Sequence, residues 1–327
     1  MKLTKFAFAS ATAIGLVASA AAAGELKFAN FTPPFHTINA SVIETLNADV
    51  SAATGGSLTV RGYHGGELGA GPVEQYVRVL QGAADIAWGL PGYTSSQFGK
   101  TMIAELPGAI PEDMPGYEAL WNAYDDHLSG EFPGVKTLAL WTSEPNIFIM
   151  KDKVIRTPDD LKGLKVRVAG ATAAEVATAM GATPVQMPIS QVYNALQTGL
   201  IDGVITGHST LTDFKLDEVA DALTVGAPLG RLTFYTVMNA GVYDSLSDAE
   251  KAALDAASGM GLSKSAEDAW LATADAALAA ARADANNTVV DLTAEEAAAF
   301  AATLEGVVNG YVSSVGGEAA MAAMQGN

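Results

Sequence analysis

Arg167 is the residue with the clearest chemistry in this sequence. It stands between Val166 and Val168 in the stretch DLKGLKVRVAG, residues 160–170. Alternating apolar and polar residues predict a short strand, with the two valines on one face and Arg167 on the other. A planar guanidinium can give a carboxylate two parallel charge-assisted hydrogen bonds, which lysine cannot match. From these residues alone two interpretations stay open: an arginine exposed to water, or one that holds an anionic ligand.

Catalytic and metal-binding motifs are missing from the sequence. The chain has 4 His and 0 Cys, and no two His have the H-E-x-x-H spacing of a zinc site. GHSTL, residues 207–211, resembles a nucleophile elbow, but Leu211 replaces the closing glycine. GELGAGPVE, residues 66–74, has Glu74 in place of the third glycine of a dinucleotide fingerprint and is interpreted as a loop before a helix. We therefore expect neither an enzyme nor a bound cofactor or metal.

Composition limits the possible partners. The chain has 327 residues with Lys+Arg 18 against Asp+Glu 36, a formal net charge of −18. Such an acidic surface repels nucleic acid and anionic membranes, so neither is an expected partner. The body of the chain has no apolar run long enough for a transmembrane helix, so direct membrane insertion is not expected. This length suits two domains better than one.

The first 23 residues have the pattern of a secretory signal peptide. Lys2 and Lys5 give a basic start, a short apolar segment follows, and ASAAAAG places small residues around a cleavage site after Ala23. The absence of cysteine excludes disulfide bonds and a lipid-modified N-terminal cysteine. We therefore expect export to a bacterial periplasm.

The elements that position Arg167 alternate between strands and helices. Apolar patterns predict strands at residues 26–31, 58–63, 85–90, 135–141, 164–168, 183–187, 202–206, 231–239 and 288–292, with helices between most of them. Thr157 and Pro158 start a helix, and capping boxes start two more at Ser247–Glu250 and Thr293–Glu296. The last of these is predicted to run as one helix to about residue 315. The series predicts an α/β fold with largely parallel sheets.

Ligands of open α/β sheets bind beyond the carboxyl ends of the strands. The predicted ends place the candidate positions at Phe31, at residues 88–93, 141–146 and 167–170, and at residues 206–209.

The stretch RTPDDLKGLKVRVAG, followed by MGATPVQMPISQVYNALQTGLIDGVITG, resembles the solute-binding subunits of TRAP transporters, the dicarboxylate-binding-protein family. The resemblance extends to ANFTPPFH, GGELGAGPVEQYVRVLQGAADIAWG and RLTFYTVMN. It implies a periplasmic-binding-protein architecture of two α/β domains with crossover strands, a long connecting helix and a ligand cleft between the domains. We place domain I at residues 24–146 plus about 231–265, and domain II at residues 147–230 plus about 266–327.

The resemblance also implies that Arg167 grips the ligand's carboxylate. Positions that are polar in sugar-acid binders of the family correspond here to Phe31, Leu90, Ile147 and residues 204–206. The predicted pocket keeps one anchor and an apolar, aromatic wall. A monocarboxylate with an apolar or aromatic body is therefore the expected ligand. A sugar acid would leave hydroxyl groups without partners, and a dicarboxylate would need a second cation, for which Arg231 and His208 are the candidates.

The predicted ligand-binding residues combine the family positions with the strand ends: Arg167, Phe31, Trp88, Tyr93, Asn146, Thr206, His208 and Phe234. Alternatives remain for most of them, since Phe31 and Trp88 could be core residues, Tyr93 an exposed turn residue and His208 a loop histidine. Trp121, Trp141 and Trp270 are interpreted as packing residues.

The sequence thus predicts a periplasmic protein that captures an organic acid by hinge closure and delivers it to TRAP membrane permease subunits. Three alternatives stay open. The chain could be a dicarboxylate or sugar-acid binder of the same family, it could present its ligand to a sensor kinase, or it could be an exported α/β enzyme, for which the sequence lacks a motif.

Overall fold

The structure is a computed structural model that describes residues 24–327. The predicted signal peptide lies outside the described residues. Residues 24–327 form strands β1 Gly24–Ala29, β2 Leu58–Tyr63, β3 Ile86–Gly89, β4 Val135–Thr142, β5 Ile147–Met150, β6 Lys165–Val168, β7 Thr183–Gln186, β8 Gly203–Thr206, β9 Ala222–Val225, β10 Thr233–Asn239 and β11 Thr288–Asp291.

The strands make two sheets. The first has the order β2-β1-β3-β10-β4, and the second has the order β11-β9-β5-β8-β6-β7. Within the first sheet β1 pairs in parallel with β2 and β3, whereas β10 runs antiparallel to both of its neighbours. In the second sheet β6 is parallel to β7 and β8, and β5 is the strand antiparallel to its neighbours. The predicted α/β class with two sheets is confirmed.

Helices cover both sheets. The α-helices are α1 Thr45–Thr54, α2 Gln75–Leu80, α3 Gly116–Ala123, α4 Ala171–Ala179, α5 Val192–Gln197, α6 Thr210–Asp213, α7 Ala240–Ser245, α8 Asp248–Ala256, α9 Met260–Ala283, α10 Ala294–Thr303, α11 Val307–Ser314 and α12 Glu318–Met324. Short 3-10 helices lie at Pro91–Thr94, Thr101–Glu105, Ser129–Glu131, Pro158–Leu161, Ile189–Gln191 and Leu216–Glu218, and π-helical turns at Asn39–Glu44 and Tyr124–Leu128.

Two segments cross between the sheets. Residues 143–146 lead from β4 to β5, and residues 226–232 return from β9 to β10. The segments pair with each other, because the backbone N–H of Ser143 donates to Leu232 O at 2.8 Å and that of Asn146 to Gly230 O at 2.9 Å. Two adjacent, hydrogen-bonded crossing segments of this kind can act as a hinge between two domains.

Helix α9 also joins the domains. Leu262 and Trp270, in its first half, are buried with the core of the first sheet. Ala277 and Ala281, near its end, are buried with Val204 and Leu223 of the second sheet. The helix therefore packs on both domains along its length.

The end of the chain departs from the predictions in two ways. The single helix predicted from Thr293 to about residue 315 is broken at Gly306, whose φ of 85° leaves the helical region, so that α10 and α11 are separate. Helix α12 then contacts α3, and its Ala320 and Met324 are buried in a core cluster of the first domain. Helix α12 thus packs on the first domain, although it lies within residues 266–327, which the sequence places in domain II.

The capping patterns that the sequence predicts at helix starts are present in the structure. The reciprocal capping boxes at Ser247 with Glu250 and at Thr293 with Glu296 are present, and Thr157 makes a further box with Asp160. The first strand ends at Ala29, two residues before the predicted end, which leaves Phe31 in the loop that follows. Strands β5 and β9 are not among the predicted strands.

Candidate functional site

Arg167 is buried, with 1% of its surface exposed. Its neighbours Val166 and Val168 pack into the core on the opposite face of β6, as the alternation predicts. The Arg167 Nε donates a hydrogen bond to Met187 O at 2.9 Å, while Nη2 has no hydrogen-bond partner within residues 24–327. Burial lowers the pKa of the guanidinium, but arginine keeps its charge in proteins. The protein thus fixes the buried guanidinium through Nε and leaves the terminal Nη2 available to donate a hydrogen bond.

The guanidinium faces a small cavity between the two domains. Six of the eight predicted site residues line it: Arg167, Phe31, Trp88, Tyr93, Thr206 and Phe234. A mostly apolar lining with a few polar groups is typical of small-molecule sites.

Aromatic rings form most of the wall. The rings of Phe31 and Trp88 stack with centroids 4.6 Å apart, and Phe234 lies 5.2 Å from Trp270. The indole N–H of Trp88 donates to Asn30 Oδ1 at 2.9 Å, which fixes the ring. Stacked and tilted arrangements at these distances are favourable, so the rings of the wall stabilise one another.

Several polar groups of the wall already have partners. The Ser143 hydroxyl donates to Glu144 O and accepts from the Leu232 N–H, and the Thr210 hydroxyl donates to Gly207 O. Tyr93 accepts a hydrogen bond from the Ile189 N–H at 3.0 Å. In the described chain Thr206 Oγ1 and Asp213 Oδ2 are buried without a hydrogen-bond partner. Free polar atoms are therefore few.

Two predicted site residues lie outside the cavity lining. Asn146 belongs to the crossover segments, where its side-chain amide donates to Leu229 O at 3.3 Å, so its contribution is to the hinge. His208 follows β8 and is not among the lining residues, and burial lowers its pKa. Contact of these two residues with the ligand stays a prediction.

The lining residues outside the predicted positions include His36, Asp213, Phe214 and Trp270. Trp270, interpreted as a packing residue, does pack in the core of the first sheet and also lines the cavity. His36 and Asp213 have no motif around them. They come from opposite domains and meet only in the fold, where His36 Nε2 is 3.7 Å from Asp213 Oδ2.

The cavity provides one permanent cation. Among its described lining residues Arg167 is the sole Lys or Arg, and Arg231 does not reach the lining. Burial lowers the pKa of His36 to about 3, so this histidine is neutral near pH 7. A ligand with one carboxylate matches this charge, whereas a second carboxylate would lack a cation.

The domains touch across the cavity mouth. Ala171 N–H, at the start of α4, donates to Ser95 Oγ of the first domain at 3.2 Å, and the Thr37 N–H donates to Asp213 Oδ1 at 3.1 Å. Gly92 and Gly170 approach so closely that a Cβ on Gly170 would lie 2.6 Å from Gly92 Cα. The two domains are closed on each other.

Two α/β domains joined by paired crossovers and closed over a cavity with one buried cation define the class of two-domain solute-binding proteins. A solved protein from a marine metagenome, a TRAP solute-binding protein specific for aromatic acid ligands and determined with 3-hydroxybenzoate, is similar to this chain at 30% identity and a TM-score of 0.85, covering 92% of this chain and 97% of that one. One from Rhodoferax ferrireducens with copurified benzoate has 28% identity and a TM-score of 0.83, covering 92% and 96%. One from Bordetella bronchiseptica with bound (R)- and (S)-mandelate has 27% identity and a TM-score of 0.84, covering 92% and 97%.

Residues 28–314 match the DctP family of bacterial extracellular solute-binding proteins, family 7, and the chain belongs to that family. The ectoine-binding periplasmic protein TeaA of Halomonas elongata is 28% identical over 202 residues, which span 59% of this chain and 58% of that protein. The matched part is thus little more than half the length of this curated relative. The predicted family is confirmed. No helix formed by residues 24–327 is long and apolar enough to cross a membrane.

Proposed function

We propose that this chain is the periplasmic solute-binding subunit of a TRAP transporter and that its ligand is a monocarboxylate with an aromatic or apolar body. The observation that carries the proposal is the free Nη2 of buried Arg167 at a cavity walled by aromatic rings. The ligand is captured by closure of the two domains and is then delivered to membrane permease subunits.

The carboxylate of the ligand pairs with Arg167. Desolvated charge pairs of this kind are strong, and truncating one partner costs about 2–5 kcal/mol. Tyr93, from the other domain, lies beside the guanidinium and raises its pKa against the effect of burial. A carboxylate at this point therefore contacts both domains.

The body of the ligand packs on the aromatic wall. Benzoate, mandelate and 3-hydroxybenzoate occupy solved relatives that are 27–30% identical to this chain, which supports an aromatic acid here. A sugar acid presents several hydroxyl groups, and each one buried without a partner costs about 1–3 kcal/mol. Rings such as those of Phe31, Phe234 and Trp270 offer no such partners.

A thermal-shift screen tests the proposal. The panel contains aromatic monocarboxylates, aliphatic 2-oxo acids, dicarboxylates, sugar acids and the uncharged amides of the aromatic acids. A ligand that binds the folded state raises Tm with concentration by mass action. We expect aromatic monocarboxylates to raise Tm and their amides to leave it unchanged.

Two arginine variants complete the test. Arg167→Gln is expected to weaken binding at least 30-fold, the equivalent of about 2 kcal/mol. Arg61→Gln, at an arginine whose side chain is 62% exposed, is the matched control and should bind like the wild type. Dicarboxylates or sugar acids that bind more tightly than aromatic acids would refute the proposed ligand class, and unchanged binding by Arg167→Gln would refute the anchor.

A further inference from the structure

Asp213 brings a second charged group to the cavity. It ends α6 in the second domain, with 3% of its surface exposed. Its Oδ1 accepts hydrogen bonds from the N–H and the hydroxyl of Thr37, both at 3.1 Å. Its Oδ2 is buried at the cavity and has no hydrogen-bond partner in the part of the chain that the structure describes. Oδ1 therefore takes part in the contact between the domains, whereas Oδ2 has no hydrogen-bond donor.

Other buried carboxylates of the described chain fall into two groups. Both oxygens of Glu267 and both oxygens of Glu105 accept hydrogen bonds, so a structural role accounts for these carboxylates. Glu144 resembles Asp213, since its Oε1 accepts from the Ser209 N–H while its Oε2 has no partner in residues 24–327. Of these two half-satisfied carboxylates, only Asp213 lines the cavity.

His36 is the neighbouring polar group on the open side of Asp213. Its Nδ1 accepts a hydrogen bond from the Ile38 N–H at 3.1 Å, so the proton of the neutral ring is on Nε2. That nitrogen lies 3.7 Å from Asp213 Oδ2, too far for a hydrogen bond. The ring therefore orients toward the carboxylate without satisfying it. Asp213 also repels the carboxylate of Glu144, whose pKa is raised to about 7 mainly by burial.

We infer that the ligand carries a hydrogen-bond donor on its ring in addition to the carboxylate, and that Asp213 Oδ2 accepts this hydrogen bond. The inference rests on the proposed function, since Arg167 must hold the carboxylate. It makes Asp213 a specificity-determining residue that selects hydroxy- or amino-substituted aromatic acids over unsubstituted ones. A ring without a donor would cover a charged oxygen and leave it without a partner.

The size of the effect follows from the kind of hydrogen bond. A bond from a neutral hydroxyl to a buried carboxylate contributes enough to change affinity about 10- to 100-fold. A methoxy group has the bulk of a substituent but no proton to donate, so it gains none of this advantage. Shape and hydrogen bonding can therefore be separated by comparing substituents.

Calorimetric titration at pH 7.5 with benzoate, its three hydroxy isomers, its three amino isomers and its three methoxy isomers tests the inference. We expect one hydroxy or amino isomer to bind about 10- to 100-fold more tightly than benzoate, and the corresponding methoxy isomer to lack this gain. Comparing the hydroxy with the amino isomers shows which donor the site takes.

The variant Asp213→Asn assigns the effect to this residue. Its Oδ1 can still accept from Thr37, but its amide nitrogen replaces the free oxygen with a donor. The gain of the hydroxy or amino isomer over benzoate, with both affinities measured on this variant, should disappear. The variant Thr212→Asn, one residue earlier at an exposed position, is the control and should keep the gain.

A pH series on the wild-type protein gives the same information without a variant. Burial raises the pKa of Asp213 to about 6, so the free oxygen becomes protonated below that pH. The advantage of the donor-bearing isomer should therefore shrink from pH 7.5 to pH 5, while benzoate affinity changes less.

The outcomes separate the two proposals. If benzoate binds but no hydroxy or amino isomer binds more tightly, or if Asp213→Asn keeps the gain, the inference is overturned and the proposed function stands. If no aromatic acid binds to the wild type at all, the proposed function fails first.

Discussion

The contact between Gly92 and Gly170 gives a direct test of domain closure. Gly92 lies in the 3-10 helix Pro91–Thr94 of the first domain, and Gly170 immediately precedes α4 of the second domain. Gly170 has φ −151° and ψ −173°, an extended conformation that alanine adopts without strain. The variant Gly170→Ala therefore leaves its own domain undisturbed and affects the protein where the domains meet.

The magnitude can be worked out from the distances. The new Cβ would lie 2.6 Å from Gly92 Cα and 2.9 Å from Gly92 O, whereas carbon atoms in contact are about 3.5–4.0 Å apart. The two backbones must separate by about 1 Å for the domains to close. Overpacking of this kind costs about 1–3 kcal/mol. Because the cost applies only to the closed form, the Kd for the ligand should rise about 5- to 150-fold.

The assay is calorimetric titration with the aromatic acid that binds best, together with Tm of the ligand-free protein. Gly92→Ala should give a smaller loss, since its Cβ would lie 3.3 Å from Gly170 Cα. Gly130→Ala, at an exposed glycine with no atom within 4 Å of the added Cβ, is the control and should bind normally. Wild-type affinity in Gly170→Ala would refute the reasoning, as would a ligand-free Tm that falls enough to account for the loss.

Three further predictions concern buried charge. Arg167→Met removes a buried cation that has no ionic partner, so the ligand-free variant should be at least as stable as the wild type in urea unfolding. A decrease of about 2 kcal/mol or more in the free energy of unfolding would contradict this. Glu105 accepts from the Thr172 hydroxyl and the Thr233 N–H, and burial raises the pKa of Glu105 to about 7. The folded state thus binds this proton more tightly than the unfolded chain, so Glu105 makes the free energy of unfolding fall as pH rises from about 4.5 to 7. Glu105→Gln should remove about 3 kcal/mol of that fall, seen in urea unfolding at pH 5 and pH 8; an unchanged pH dependence would contradict it. Glu267→Ala should lower the free energy of unfolding by about 3 kcal/mol, because it leaves three buried N–H groups without their acceptor. The free energy of unfolding of Glu267→Gln should lie between that of Glu267→Ala and that of the wild type. Equal stability of all three proteins would show that water replaces the carboxylate.

The sequence predicts the features that depend on near neighbours. Apolar alternation placed β6 and the side of it that carries Arg167, and capping boxes at Ser247 and Thr293 set the starts of α8 and α10. The family resemblance supplied what alternation left open, namely that Arg167 is buried at a cavity. The single long helix after Thr293 failed because Gly306, in a left-handed conformation, interrupts an otherwise continuous apolar pattern.

Residues brought together from distant parts of the chain were not predictable in this way. His36 and Asp213 face each other across the domains, and α9 carries Trp270 to the same cavity from a third region. Nothing in the sequence around these positions distinguishes them from other buried or helical residues. Likewise Glu267 caps α3 through Gly116 and Tyr117 from about 150 residues away, a separation that local capping rules do not cover.

The buried state of Arg167 also indicates why closure would depend on an anion. With the domains closed, the guanidinium is almost completely removed from water, and no carboxylate of residues 24–327 forms an ion pair with it. Desolvating an unpaired charge costs several kcal/mol, so closure without a ligand is unfavourable. Under the proposed function, a ligand carboxylate would remove most of that cost and would add hydrogen bonds, and it would do so only in the closed form. A ligand shifts a conformational equilibrium by its difference in affinity for the two states, and Arg167 would make that difference depend on charge. The uncharged amide of the same acid would fill the aromatic cavity equally well and still fail to close it.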